Sequence, residues 1–358
     1  MQIGFDGSRA LLSTRTGTER YAYEIIRHLL RLPAAAAHGW RLYTGTPADA
    51  AAFGLTESSE PSAVDVCTLP STRGWTHRAL GPAVMRDAPD VLFVPAHVAP
   101  FALRPDRLPP TVVTVHDLGY RAYPETHTRR QRWYLEAGPR WSAHVAAQVI
   151  CVSKATANDL HAHYGTPWEK IHVVYEAVGP TPKRLSEQAL LKLRRDLGLE
   201  RPFALYLGTI QPRKNLLRLI DAYAGIIQKT DPSWDLVLAG NLGWLSEAIL
   251  ARAQALGLQE RIHFTGYVDE HTRIGLLQGA CFFSFPSLHE GFGLPVLEAQ
   301  QMGVPIMTSN KSSLPEVAGD AALLVDPTDV DAIAAAMLRL SVDETLRQEL
   351  IAAGHENV

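Results

Sequence analysis

The chain has little of what marks a secreted, membrane-spanning or zinc-holding protein. Its three cysteines, Cys67, Cys151 and Cys281, stand singly in apolar settings with no CxxC spacing. An odd, scattered set argues against a disulfide framework or a zinc site and reads as reduced thiols packed as small hydrophobes. No apolar run approaches the ~20 residues needed to span a bilayer. The opening stretch, MQIGFDGSRALLSTRTG, lacks the charged-then-apolar layout of a signal peptide, so a cytoplasmic location is expected. Net charge is only −3, and nothing global points to nucleic acid as a partner. A GxGxxG fingerprint is missing, and no DxD-like metal motif occupies a strand-end loop.

What is present fits a soluble globular protein: 46% hydrophobic and 20% charged residues. At 358 residues, two domains of ordinary size are expected rather than one. Charge is uneven, at roughly +2 over residues 1–180 and roughly −5 over the remainder. Short apolar runs alternate with helix-period stretches from end to end. Strands are expected at 2–5, 40–44, 64–67, 90–95, 111–116, 148–152 and 171–175, with a helix at 19–30. The rhythm breaks at EAVGPTPKRLSEQA (176–189), rich in proline, glycine and charge, which suits an interdomain connection. It restarts with strands at 203–208, 234–240, 261–266, 280–285, 304–309 and 321–325, and a helix at 215–227. The expectation is α/β: two tandem doubly wound, Rossmann-like domains, 1–178 and 179–358, each with a parallel sheet. In such sheets ligands sit at the carboxyl ends of strands, so chemistry belongs in the strand-to-helix loops.

Four of those loops stand out. In DGSRALLSTRTGTERY (6–21), Gly17 and Thr18 precede the first helix, where free N–H groups can receive an anion. The same loop is equally well an ordinary polar loop with Thr18 as N-cap. In TVHDLGY (114–120), His116 and Asp117 end an apolar strand, either to bind a hydroxyl or phosphate or as a structural histidine pair. In YLGTIQPRKN (206–215), a strand ends at Gly208 and Thr209, Asn215 can cap the next helix, and Arg213 and Lys214 project from the turn. Two cations beside a helix start suit a diphosphate, although a solvated basic turn is the plainer alternative. In FPSLHEGFGLPVLEAQQMGVPI (285–306), Glu290 lies in a strand-end loop and Glu298 about a turn and a half into the helix ended by Gly303. Between them EGFG forms a compact turn whose backbone can approach a ligand closely. The two carboxylates read either as an acid/base pair or as holders of a ligand.

These residues resemble retaining glycosyltransferases of family 4, which have the GT-B fold. PSLHEGFGLPVLEAQQMGVPI is similar to that family's EX7E signature, and GTIQPRKN, HDL and SSLPEVAGDAALLVDP (312–327) are similar to its other motifs in the same order. The GTERY loop resembles its bacterial mannosyltransferase-like branch. The resemblance spans nearly the whole chain and implies two Rossmann-like domains facing each other across a cleft, the first taking the acceptor and the second the donor. It implies that Glu290 holds donor-sugar hydroxyls, with Gly291, Phe292, Gly293 and Leu294 offering the loop and helix start. Glu298 then takes the ribose hydroxyls, Arg213 and Lys214 neutralise the diphosphate, Gly17 and Thr18 approach it, and His116 sits near the reacting sugar. The family's pattern often has arginine after the strand glycine; here that position is Thr209, which makes Arg213 the second cation. The catalytic set implied is Glu290, His116, Arg213 and Lys214, with Gly208 and Thr209 lining the donor site.

The resemblance implies a hexosyltransferase that needs no metal or other cofactor. It would move mannose from GDP-mannose, or else a hexose from a UDP-sugar, to a saccharide or lipid-linked saccharide in bacterial glycan synthesis. The competing readings are an epimerase or phosphorylase on the same frame, a glycoside hydrolase, and a non-catalytic nucleotide-sugar-binding protein. A hydrolase would need one carboxyl kept protonated, which the cations beside this pair disfavour. The segment 121–141 interleaves arginines with Trp133, Tyr134 and Trp141. That suits peripheral attachment to anionic lipid at the inner face of a membrane, or a helix with aromatics turned inward. Chains of this fold usually close with a helix that crosses back onto the first domain. The sequence stops at IAAGHENV, after a helical stretch at 342–353, so either a truncated chain or another closing contact is expected.

Overall fold

The computed structural model describes residues 1–12, 17–53, 64–70, 72–96, 98–101, 105–124 and 129–358, except for the side chains at 50 and 129–134. They form two compact units: Met1–Leu118 with Arg129–Glu176, and Gly119–Thr128 with Ala177–Val358. The chain thus passes from one unit to the other between Glu176 and Ala177, where the expected boundary is 178/179. Residues 119–124 group with the C-terminal unit, a long-range association that no local pattern marks.

The N-terminal unit is built on seven parallel strands: β1 (Gln2–Asp6), β2 (Gly39–Thr44), β3 (Val64–Thr68), β4 (Val91–Val94), β5 (Thr111–Val115), β6 (Gln148–Cys151) and β7 (Ile171–Val173). Their order across the sheet is β3-β2-β1-β4-β5-β6-β7. The helix Gly17–Leu30 buries Ala22, Ile26 and Leu30, a four-residue spacing that lays one stripe on the sheet. That stripe joins Phe5, Leu42, Phe53 and Phe93 in one core cluster, with the Phe5 and Phe93 rings edge-on at 4.9 Å.

The C-terminal unit has six parallel strands: β8 (Phe203–Leu207), β9 (Asp235–Ala239), β10 (Ile262–Gly266), β11 (Phe282–Phe285), β12 (Ile306–Ser309) and β13 (Leu323–Val325), in the order β10-β9-β8-β11-β12-β13. Every residue of β8, β9, β11 and β12 is buried, as expected for central parallel strands covered on both faces. All thirteen strands fall within two residues of their expected limits. The chain leaves β8 toward β9 on one side and returns to β11 on the other. This reversal opens a crevice at the carboxyl ends of β8 and β11, the place where doubly wound sheets bind ligands.

The expected helical stretch at 342–353 lies in the last helix, Glu344–Asn357, apart from Val342, which ends the helix before it, and Asp343 between them. Val330–Val342 stops at Asp343, whose carboxylate caps the next helix, Glu344–Asn357, by accepting from Leu346 N at 3.0 Å. That last helix returns to the helix Leu294–Gln301: Asn357 Nδ2 donates to Gln300 Oε1 at 2.8 Å and to Val317 O at 2.9 Å.

Candidate active site

The loops after β8 and β11 bring together residues more than seventy positions apart. Pro212–Lys214 is a short 3-10 turn, with proline setting φ at its first position and Lys214 N bonded to Gln211 O at 3.0 Å. It aims both cations at the β11 loop. Lys214 Nζ donates to Glu290 Oε1 at 2.5 Å. Arg213 Nη1 donates to Glu290 Oε2 at 3.3 Å and to His289 O at 2.5 Å. Lys214 also lies 5.3 Å from the centre of the Phe285 ring. Glu290 is buried, at 7% exposed. Burial pushes its carboxyl up, but Lys214 and then Arg213 outweigh burial and hold it below the ordinary carboxylate value. An ionised Glu290 accepts hydrogen bonds, which disfavours the part of a general acid for it.

Asn215 does not cap the following helix with its side chain. It takes the left-handed conformation (φ 62°), and its amide donates to Pro286 O at 3.0 Å and Pro327 O at 2.6 Å, while Oδ1 accepts from Arg218. The amide thereby ties the cation turn to the ends of β11 and β13, a tertiary demand that displaces the local cap. Leu288 N donates to Arg213 O at 3.0 Å, a second tie between the same loops.

The EGFG turn is pinned by Ser312 and Ser313, the first two residues of the SSLPEVAGDAALLVDP stretch. Ser312 Oγ donates to Glu290 O at 2.5 Å. Ser313 Oγ, fully buried, lies 3.0 Å from Glu290 O and 2.7 Å from Phe292 O. Gly293 then starts the helix Leu294–Gln301 at φ 114°, and a Cβ there would lie 2.8 Å from Leu314 Cδ2. Phe292 is buried, and Gly291 completes the turn. Glu298, on that helix, is ion-paired at 2.8 Å with Arg273, a residue that no motif singles out.

Gly208 and Thr209 follow β8. Gly208 N donates to Ala239 O at 2.9 Å, and Tyr206 Oη donates to Thr209 O at 3.2 Å. Gly240, at the end of β9, has φ 146°, and a Cβ there would lie 2.1 Å from Gly208 O. No side chain other than hydrogen lets these two strand ends approach as they do.

In the N-terminal unit His116 follows β5 and is buried. Its Nε2 donates to Pro95 O at 2.9 Å, its Nδ1 lies 3.3 Å from Glu176 Oε1, and the Tyr21 ring stands edge-on at 4.8 Å. The carbonyl of His116 accepts from Thr156 Oγ1 at 3.2 Å. An imidazole bonded at both nitrogens is a fixed polar group. Glu176, which fixes it, lies in what reads as linker. Gly17 opens the first helix and is exposed; a Cβ there would meet no atom within 4 Å among the described residues, so their packing does not itself require glycine. Thr18 is the second residue of that helix and is not its N-cap.

Of the basic-aromatic segment, the side chains of Trp133 and Tyr134 lie outside the described residues. Trp141 turns inward, donating to Pro100 O at 3.1 Å and packing on Phe101. No helix among the described residues is long and apolar enough to cross a membrane. A cavity of about 400 Å³ in the N-terminal unit is lined by Arg41, Asp65, Asp87 and Tyr43, whose polar groups pair with one another. Among the described residues no three His, Cys, Asp or Glu side chains are grouped to hold a metal ion.

Known proteins share both halves of this arrangement. Residues 191–357 match the family described as glycosyl transferases group 1, and residues 15–181 match glycosyltransferase family 4. The O-antigen chain mannosyltransferase B of Escherichia coli is 34% identical over 272 residues, covering 75% of this chain and 70% of that protein. The serotype-specific mannosyltransferase WbdA of Escherichia coli is 32% identical over 209 residues, 57% of this chain but only 26% of that longer protein. Among solved structures, sucrose-phosphate synthase from Thermosynechococcus elongatus has a TM-score of 0.73 at 20% identity, covering 99% of this chain and 93% of that one. At that identity the likeness establishes the fold alone.

Proposed function

We propose, because this chain belongs to the group 1 and family 4 glycosyltransferases, that it transfers mannose from GDP-mannose to a saccharide or lipid-linked saccharide with retention of configuration. The observation that carries the reading is the convergence of Arg213, Lys214 and Glu290 at the crevice where the sheet order reverses. A departing nucleoside diphosphate needs cations where its charge develops, and two are present. Mannose as the sugar is supported by the relatives named as mannosyltransferases.

In this reading Glu290 and the turn Gly291–Leu294 hold the sugar, and Glu298 holds the ribose. The bond from the sugar C1 to the leaving phosphate oxygen breaks while the acceptor oxygen bonds to C1 on the same face. The acceptor's proton passes to the departing phosphate oxygen, so no protein side chain is the nucleophile. The doubly held imidazole of His116 supports a positioning part for it. Arg213 and Lys214 take the neutralising part, so the reaction proceeds without a metal and survives EDTA. The acceptor is assigned to the N-terminal unit. A cytoplasmic location with peripheral attachment through 121–141 goes with this reading, and co-sedimentation with anionic vesicles tests it.

A thermal-shift panel of GDP, UDP and ADP with their sugar conjugates identifies the donor, because a specific ligand raises the melting temperature. GDP and GDP-mannose are expected to shift it most. Incubation with GDP-mannose and oligomannoside acceptors, followed by proton NMR, is expected to show an α-linked product. An inverted product, or free mannose as the main product with acceptor present, overturns the reading.

A further inference from the structure

Glu298 does not stand alone on its helix. Its Oε2 lies 2.8 Å from Arg273 Nη1, and each side chain is only 15% exposed. Arg273 belongs to the helix Glu270–Gly279, which follows β10 and is capped by Asp269 accepting from Thr272 N. The other edge of the guanidinium is already taken within that helix: Nη2 donates to Glu270 Oε1 at 2.7 Å and Nε to Glu270 Oε2 at 3.2 Å. Two parallel hydrogen bonds to one carboxylate fix the plane of an arginine. With that plane fixed, Nη1 reaches Glu298 along one direction.

Burial opposes the charge on Arg273, but Glu298 and Glu270 hold its guanidinium above the ordinary value. Arg273 therefore stays charged, and with little solvent beside it the pairing is weakly screened. A carboxylate with one oxygen fixed from behind presents a defined orientation to a ligand. A free glutamate would have to order its rotamers on binding.

We infer that Arg273 is a positioning residue that orients Glu298 and thereby sets discrimination for a ribose diol over a deoxyribose. Glu270, exposed at the surface, completes the device as the fork that orients Arg273. The inference rests on the donor reading above, in which Glu298 contacts the ribose.

The test is calorimetric titration of GDP and 2′-deoxy-GDP into the full chain. Wild type is expected to prefer GDP by about 10–100-fold, the range of one hydrogen bond to a charged group. Arg273→Met is expected to remove most of that preference, and Glu270→Gln, whose exposed site keeps the fold, to lower it several-fold. Lys214→Ala serves as control and is expected to weaken both ligands equally, leaving the ratio unchanged. A wild-type ratio that survives intact in both the Arg273 and Glu270 variants overturns the inference and leaves Arg273 a structural ion pair. If wild type binds GDP but ignores the 2′-hydroxyl, the ribose contact of Glu298 falls and the inference with it. If wild type binds no GDP, the donor reading itself fails.

Discussion

The Lys214 ammonium and the Glu290 carboxylate, 76 positions apart in the chain, meet at 2.5 Å with only 12% and 8% of their side chains exposed. Two loops from neighbouring strands bury opposite charges against each other at the carboxyl end of the sheet, where doubly wound folds bind ligands. Buried pairs are weak sources of stability, because desolvation offsets most of their attraction. Their presence at this crevice is therefore better explained by function than by folding.

Lys214→Ala is expected to reduce turnover by about 10²–10³-fold, the usual effect of deleting one group that stabilises developing negative charge. Arg213→Ala should act in the same direction, while Lys214→Arg keeps part of the activity. Initial rates with the donor found by the ligand panel, measured well below each variant's melting temperature, check this. Wild-type rates in both alanine variants would remove these cations from the reaction.

Glu290 also predicts a pH dependence. Its carboxyl is lower in the folded chain than its ordinary value of 4.5, so its ionised form contributes stability that is fully present above that value. The contribution is lost as pH falls through the lowered value. Glu290→Gln should therefore be less stable than wild type at neutral pH, with the gap closing as pH drops below 4.5. Melting temperatures of both proteins from pH 7 to pH 3 test the sign; a gap that widens on acidification contradicts it.

Ser313→Ala removes a buried hydroxyl that holds Glu290 O and Phe292 O. Loss of stability by about 1–3 kcal/mol is expected, because the nearer carbonyl, Phe292 O, loses this donor while Glu290 O keeps Ser312. Activity should fall beyond what that loss explains, because the EGFG turn loses its tether. Urea unfolding and kcat/KM on the same preparation separate the two effects.

Two glycines give opposite signs for the same substitution. Gly240→Ala would drive a Cβ to 2.1 Å from Gly208 O at φ 146°, so destabilisation of about 1–3 kcal/mol or more is expected. Gly225 lies inside the helix Leu216–Thr230 with nothing within 4 Å of its Cβ position. Gly225→Ala should therefore stabilise by about 0.5–1 kcal/mol. Chemical denaturation of both variants checks the pair.

The sequence by itself determined the class of fold and the addresses of the chemistry. Apolar runs such as FALYL and FFSF can only be strands buried on both faces, which makes parallel sheets with helices between them. The same reasoning places the chemistry in strand-end loops, where Arg213, Lys214 and Glu290 do lie. Tertiary structure decided the partners. Asn215 reads as a cap from local chemistry, yet it bonds Pro286 and Pro327, because both carbonyls reach it only once β8, β11 and β13 share a sheet. Arg273 carries no motif, and Ser313 lies in the SSLPEVAGDAALLVDP stretch without any sign of what it would bond; their contacts with Glu298 and Glu290 depend on which helices pack beside one another. Periodicity records how each segment buries its own apolar face. It holds no information on which charged side chains the strand order will bring within hydrogen-bond reach, and that order alone converts two isolated glutamates into two held carboxylates.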